Sequence, residues 1–267
     1  MKTIGQIVTG AFLFFALLGC AGPGGSRTEG SRIQAPSSQE LVRGEGRTRA
    51  KAHTDLGFEY YSQGQMGLAL QEAKVAISND SAFTPTYNLL ALIYISLGDN
   101  KAAEDAFQHA IQLASKDPEI ANNYGQFLCQ TKREAQAFQY FDSALQNPLY
   151  PTPSVALSNA AECALQMHDL KLAEGYLFKA LSLDPNDVRA QFATANLRYQ
   201  QKQYPEARYY LSEAHKNSEP SAASAWLALR IARHTGNRED EARYLSLLRK
   251  KFPDSDEYKK LMRGTFE

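Results

Sequence analysis

The sequence predicts an all-α fold, a solenoid of six stacked helical hairpins, and three observations carry that expectation. A pattern of large and small apolar residues returns at intervals of 34. Runs that alternate apolar and polar with a period of two are few. The body is rich in Ala, Leu, Gln, Glu and Tyr, while Pro and Gly gather early and in the turns. The cleanest copy of the unit is residues 84–110, TPTYNLLALIYISLGDNKAAEDAFQHA. With Thr84 as the first position, Tyr87 is fourth, Leu90 and Ala91 are seventh and eighth, and Tyr94 is eleventh. Gly98 follows, then Ala103, Phe107 and Ala110 at twenty, twenty-four and twenty-seven. Small residues belong where helices approach closely, and large ones fill the gaps between them. One such unit cannot bury its apolar face alone, so neighbours must stack.

This spacing resembles the tetratricopeptide repeat, a 34-residue helix-turn-helix with the pattern W-x2-L-G-x2-Y, A-x3-F and a closing Pro. The first unit opens near Ala50, with Leu56, Gly57 and Tyr60 in its first helix and Ala69, Ala73 and Ala76 in its second. The second begins at Thr84 and the third at Pro118, where Tyr124, Gly125 and Leu128 are followed by Ala137, Phe141 and Ala144. Residues 147–153, NPLYPTP, then insert two positions; three Pro in seven make a stiff, elongated connection. The fourth unit starts near Ser154, with Ala160, Ala161, Ala164, Ala173, Leu177 and Ala180, and the fifth near Val188, with Ala195, Ala207, Leu211 and Ala214. The sixth starts near residue 223, where Trp226, Leu229 and Ala242 fit, and it diverges as terminal units of a solenoid commonly do.

The resemblance implies twelve helices in a right-handed superhelix, with positions two, five, nine and twelve of each first helix on its concave face. That face is expected to include Phe58, Asn88, Leu92, Asn122 and Gln126 in the first three units, and Ser158, Glu162, Phe192 and Tyr199 further on. Tyr61 and Ile95 join Phe58 and Leu92 as exposed apolar anchors for a partner.

Ahead of the repeats, residues 1–19 read as an export signal: a single Lys2, then an apolar run centred on FLFFALL, ending in small residues. With Cys20 directly after Leu17-Leu18-Gly19, the leader resembles a bacterial lipoprotein signal. The resemblance implies cleavage before Cys20 and acylation of its thiol and new amine, which hold the chain at a bilayer. Ala21 rather than Asp follows the Cys, which in such lipoproteins implies the outer membrane, periplasmic face. Residues 20–46 are rich in Gly, Ser and Pro and read as a flexible tether ahead of the repeat domain, 47–267.

Composition narrows the function. A formal net charge of zero gives no argument for a nucleic-acid partner. His53, His109, His168, His215 and His234 are scattered and form no ligand spacing, so no metal site and no cofactor is expected. Glu104-Asp105 and Glu239-Asp240-Glu241 read as solvated helix faces beside Lys and Arg. There is no G-x-S-x-G and no phosphate loop, so no catalytic residue is assigned and a binding protein is expected rather than an enzyme. Cys129 and Cys163 lie on the first helices of consecutive units and form either a bridge or two buried thiols; an oxidising compartment favours the bridge.

Two stretches depart from the generic repeat: NNYGQFLCQ at 122–130 and NPLYPTPSVALSNAAECAL at 147–165. They are similar to the PilF/PilW family of outer-membrane lipoproteins, the pilotins of the type IV pilus secretin. The likeness extends over Cys20, the tether, the six units, the paired Cys and the closing RKKFPDS. It implies a monomeric factor that binds the pilus secretin, brings it to the outer membrane and promotes its assembly into a multimer. Another envelope scaffold of the same repeat, serving outer-membrane protein insertion or peptidoglycan machinery, is the alternative.

Overall fold

The structure is a computed structural model that describes residues 44–266. Among the described residues thirteen α-helices follow one another, with no strand. The inner helices are α1 (Glu45–Ser62), α3 (Thr84–Leu97), α5 (Pro118–Gln130), α7 (Pro153–Gln166), α9 (Val188–Gln200) and α11 (Ala222–Thr235). Each pairs with the helix that follows it: α2 (Met66–Asn79), α4 (Asn100–Leu113), α6 (Glu134–Leu145), α8 (Leu170–Leu183), α10 (Tyr204–Asn217) and α12 (Arg238–Lys251). The short α13 (Asp256–Met262), beyond the twelve expected, packs on α11 and α12 and covers the apolar face that a seventh hairpin would otherwise bury.

The units keep register through one backbone device. Position fifteen of every unit has a left-handed φ: Gly64, Gly98, Lys132, His168, Lys202 and Gly236. That conformation ends the inner helix and turns the chain into the outer one, and Gly adopts it without steric cost. Counting back fourteen residues places the sixth unit at Ala222, one residue ahead of the expected 223. The sequence reading was drawn off register by Trp226 and Leu229, whose spacing imitates the W-x2-L of the repeat pattern. In the true register Ala225, Ala228, Leu229 and Ala232 fill positions four, seven, eight and eleven. Ala242, expected in the core, is exposed, and Tyr244 and Leu248 are buried instead.

Helix starts follow from local chemistry. Asp117 and Asp187 each accept two backbone N–H bonds at the heads of α5 and α9, and Asp99 and Asp169 accept one each at α4 and α8. Pro118 opens α5, where its missing N–H costs no bond. Helix α1 begins at Glu45, inside the stretch read as tether. Gly46 is there for proximity: a Cβ on it would stand 2.8 Å from the Asn79 carbonyl oxygen, where α1 meets the end of α2. Gly125, at position eight, lets α5 rest on Phe141, whose ring carbons would lie 2.9 Å from an added Cβ.

One apolar core runs through the first four units, built on Leu89, Phe107, Phe127 and Phe141 with alanines between them. Phe107 contacts Tyr124 and Phe127 of the next unit, with ring centroids 5.2 and 5.7 Å apart. Two further clusters serve units four to five, around Leu157, Leu177 and Leu197, and units five to six, around Leu211, Trp226 and Leu229. The Pro-rich connection 147–153 is not elongated as expected. Tyr150 donates its backbone N–H to the Asn147 carbonyl in a tight turn, and its ring is buried among Ala121, Ala144 and Ala156. A large aromatic in a two-residue insertion anchors the segment that the Pro count alone would have left extended.

Candidate functional site: the concave face

The inner helices stand side by side and supply the concave face. Its first third is apolar. Phe58, Tyr61 and Ile95 are half-buried and packed against the main core, with the Ser96 hydroxyl donating to the Tyr61 oxygen at 3.3 Å. Leu92, expected as an exposed anchor, is wholly buried within that core. Curvature explains the difference: adjacent inner helices close over position nine of the second unit, leaving the flanking aromatics to reach solvent.

The middle third is polar and mostly covered. Asn88, Asn122 and Gln126 are buried rather than open to a partner. Asn159 donates its amide to Asn122 at 2.9 Å, and Asn123 donates to Asn88 at 3.2 Å. These carboxamides tie units two, three and four together below the surface. Sequence alone placed Asn88 and Asn122 on one face, but the partners that cover them come from neighbouring helices. Thr54 and Thr86 add a buried hydroxyl pair at 2.7 Å between the first two units.

Glu162 is the strongest electrostatic feature of this stretch. Its surface is only partly covered, yet protein crowds it deep in the concavity, and burial pushes its carboxyl up to about 7. The Arg189 guanidinium pulls the other way, and Asp187 adds to the upward push. Ser158, also expected on the face, is buried beside Asp187, at 3.5 Å from its carboxylate.

The last third is aromatic and cationic, and most of it escaped the sequence reading. Phe192 is half-buried and Tyr199 almost wholly covered, the Arg230 guanidinium lying 4.3 Å from the Tyr199 ring centre. In the corrected register Trp226, Arg230 and Arg233 occupy positions five, nine and twelve of the sixth unit. The signal that reveals them in sequence is Gly236, which corresponds to Gly98. Arg233 donates to Glu241 at 2.9 Å and covers the Phe266 ring at 3.7 Å.

Cys129 and Cys163 are bonded in the structure, with Cα atoms 5.8 Å apart, and the bridge links the third and fourth inner helices. Cys20, assigned to lipid attachment, lies outside the described residues, as do the leader and most of the tether. Among the described residues no helix is long and apolar enough to cross a membrane, and no three His, Cys, Asp or Glu gather as a metal site.

Three of the histidines have local partners: His109 meets the Tyr87 ring, His234 stacks on Tyr204, and His53 contacts Glu72 at 2.6 Å. Glu104 is not the solvated carboxylate expected. It is half-buried, bonded to Arg133 at 2.6 Å and to the Tyr124 hydroxyl at 3.1 Å, and Arg133 holds its carboxyl below the usual range. Glu241 and Asp240 similarly meet Arg233 and Arg208.

Six curved hairpins with a continuous inner face define a tetratricopeptide-repeat solenoid, a class that works by protein–protein contact. Models described as Tetratricopeptide repeat match residues 84–117 and 159–221. The solved structure of PilW, described as a widely conserved type IV pilus biogenesis factor, is 30% identical; the match covers 80% of this chain and 98% of that one, with a TM-score of 0.69. The type IV pilus assembly protein PilF of Pseudomonas aeruginosa is 28% identical over 85% of this chain and 90% of its own length. A solved structure of Pseudomonas aeruginosa PilF is 27% identical, covers 82% of this chain and 99% of that one, and superposes with a TM-score of 0.68. The chain belongs to the PilF/PilW family of tetratricopeptide-repeat proteins.

Proposed function

We propose that the chain is the pilotin of a type IV pilus: a lipoprotein, anchored through Cys20 at the periplasmic face of the outer membrane, that binds a subunit of the pilus secretin and promotes its delivery and multimerisation. The observation that carries the reading is the likeness to PilW, which spans nearly the whole of that chain and shares its fold. The concave face adds a physical basis, since its first third offers half-exposed Phe58, Tyr61 and Ile95 as an apolar strip for a partner's segment.

The test compares heat-resistant secretin multimers in isolated outer membranes from the parent strain, a deletion strain, and a strain carrying Phe58→Glu with Tyr61→Glu. Leu92 is left intact, because a charge at that buried site would unfold the unit. Loss of multimers and pili in the deletion, and in the double variant at normal protein level, is expected. Normal piliation of the deletion strain would reject the pilotin role and leave an envelope scaffold of another kind. Full multimers with the double variant would move the contact away from the first units.

A further inference from the structure

The far end of the concave face carries a charge and an occupant that the apolar strip does not explain. Arg230 is half-buried and lies over Tyr199, its Nε is buried without a hydrogen-bond partner, and among the described residues it forms no ion pair. Its neighbour Arg233 is neutralised by Glu241, so the unbalanced cation is Arg230. Beside it, the ring of Phe266, from the segment after α13, stacks on Trp226 with centroids 5.5 Å apart and planes 23° from parallel, and the Arg233 guanidinium lies over the same ring, 3.7 Å from its centre. Trp226, Arg230 and Arg233 are three of the four inward positions of the sixth unit. A side chain from outside the repeats therefore sits where a partner's side chain would sit.

We propose that units five and six form a second recognition site, for an extended peptide that carries an aromatic side chain next to a carboxylate, and that Phe266 holds the aromatic subsite until such a peptide displaces it. The aromatic requirement follows from Trp226 and Arg233, which both already pack on one phenyl ring. The carboxylate requirement follows from Arg230: a partly desolvated guanidinium without a counter-ion gains most from an anion brought to it, and its planar fork suits a carboxylate. Occupancy by Phe266 makes the site self-competing. Apparent affinity for a peptide is reduced by the fraction of molecules in which Phe266 is seated. The site lies four to five units away from Phe58 and Tyr61 and does not depend on what binds there.

Trp226 is the single tryptophan, so its emission reports directly on the subsite. The experiment titrates the purified full-length chain with the acetylated hexapeptide Gly-Ser-Glu-Phe-Glu-Ser, and with versions in which Gln replaces both Glu or Ala replaces Phe. Weak binding to the unaltered chain is expected, with roughly tenfold tighter binding to Phe266→Ala. Arg230→Gln, in either background, is expected to lower affinity for the Glu-Phe-Glu peptide roughly tenfold and to leave that for the Gln version unchanged. Equal affinity of the unaltered and Phe266→Ala chains, at unchanged helicity, would overturn the displacement. Should Phe266→Ala lose helicity, Arg230→Gln with Phe266 in place decides, and unchanged affinity for the acidic peptide would overturn the site. Equal binding of the acidic and Gln peptides to the unaltered chain would mark a general apolar surface and also overturn it.

Discussion

Glu162→Gln should stabilise the protein at pH 8 and leave its stability unchanged at pH 4.5. The carboxyl is pushed from an ordinary 4.5 to about 7 by burial in the concavity. In the folded chain it therefore keeps its proton through a range in which the unfolded chain has released it. Stability is greatest at or below the unfolded value and declines as pH rises from about 4.5 to about 7, because the unfolded state binds fewer protons there. A gap of that size is worth about 3 kcal/mol at most. Partial contact with solvent along the groove lowers it to about 1–2 kcal/mol. Gln keeps the shape and removes the ionisation, so the variant should gain that amount at pH 8. Urea unfolding of both proteins at pH 4.5, 6 and 8 reads it as a difference of differences. This matters because His215, whose proton affinity is lowered mainly by burial, contributes a pH dependence of its own as pH falls below the usual histidine range. Glu104 and Asp80, both held low by arginines, lose stabilisation only as pH falls below the ordinary carboxylate range. Those contributions are common to both proteins and cancel. Parallel pH profiles for parent and variant would refute the assignment of a protonated Glu162.

Further expectations rest on single structural features. Replacing Cys129 and Cys163 together by Ala should cost about 4 kcal/mol or less, as expected for opening a crosslink between residues 34 apart; non-reducing peptide mapping checks the bridge and urea unfolding the cost. Lys202→Gly with His168→Gly should stabilise by about 1 kcal/mol, because both residues hold a φ of 60° that Gly adopts freely; an unchanged unfolding midpoint would count against strain at position fifteen. Gly175→Ala, on an open helix surface with nothing near the new methyl, should gain about 1 kcal/mol. Gly125→Ala should instead cost about 1 kcal/mol, since its methyl would press on the Phe141 ring.

The elements were legible because their signals are local and repeated. Ala91 beside Phe107, Gly125 beside Phe141 and Ala161 in the fourth unit are small residues at position eight, and each could be found by counting in thirty-fours. The fifth unit was legible through Ala195, Ala207 and Leu211 although its other positions depart from the pattern. The turn at 147–153 was misjudged because three prolines speak to local stiffness, whereas Tyr150 acts through a cavity bounded by three different helices. Side-chain coverage on the inner face was not legible for the same reason. The count places Leu92 and Ile95 on one side of α3 and gives no hint that the first is sealed and the second half-open.

The register of the last unit decides what the far end of the concave face is made of. Read from Trp226 as position four, the sixth inner helix would turn Leu227 and Ile231 inward, and the groove would be apolar at both ends. Read from Gly236 as position fifteen, it turns Trp226, Arg230 and Arg233 inward, and the two ends differ in chemistry. A left-handed residue is the better marker, because the backbone must reverse direction there whatever the side chains are. An aromatic residue is the poorer one, because both the packed and the inward positions of a repeat accept it. The face that follows is graded: apolar at Phe58 and Tyr61, protonatable at Glu162, cationic at Arg230. A single extended partner spanning both ends would meet this gradient in one direction only, since its apolar and acidic parts would match opposite ends and reversal would set a carboxylate against Phe58.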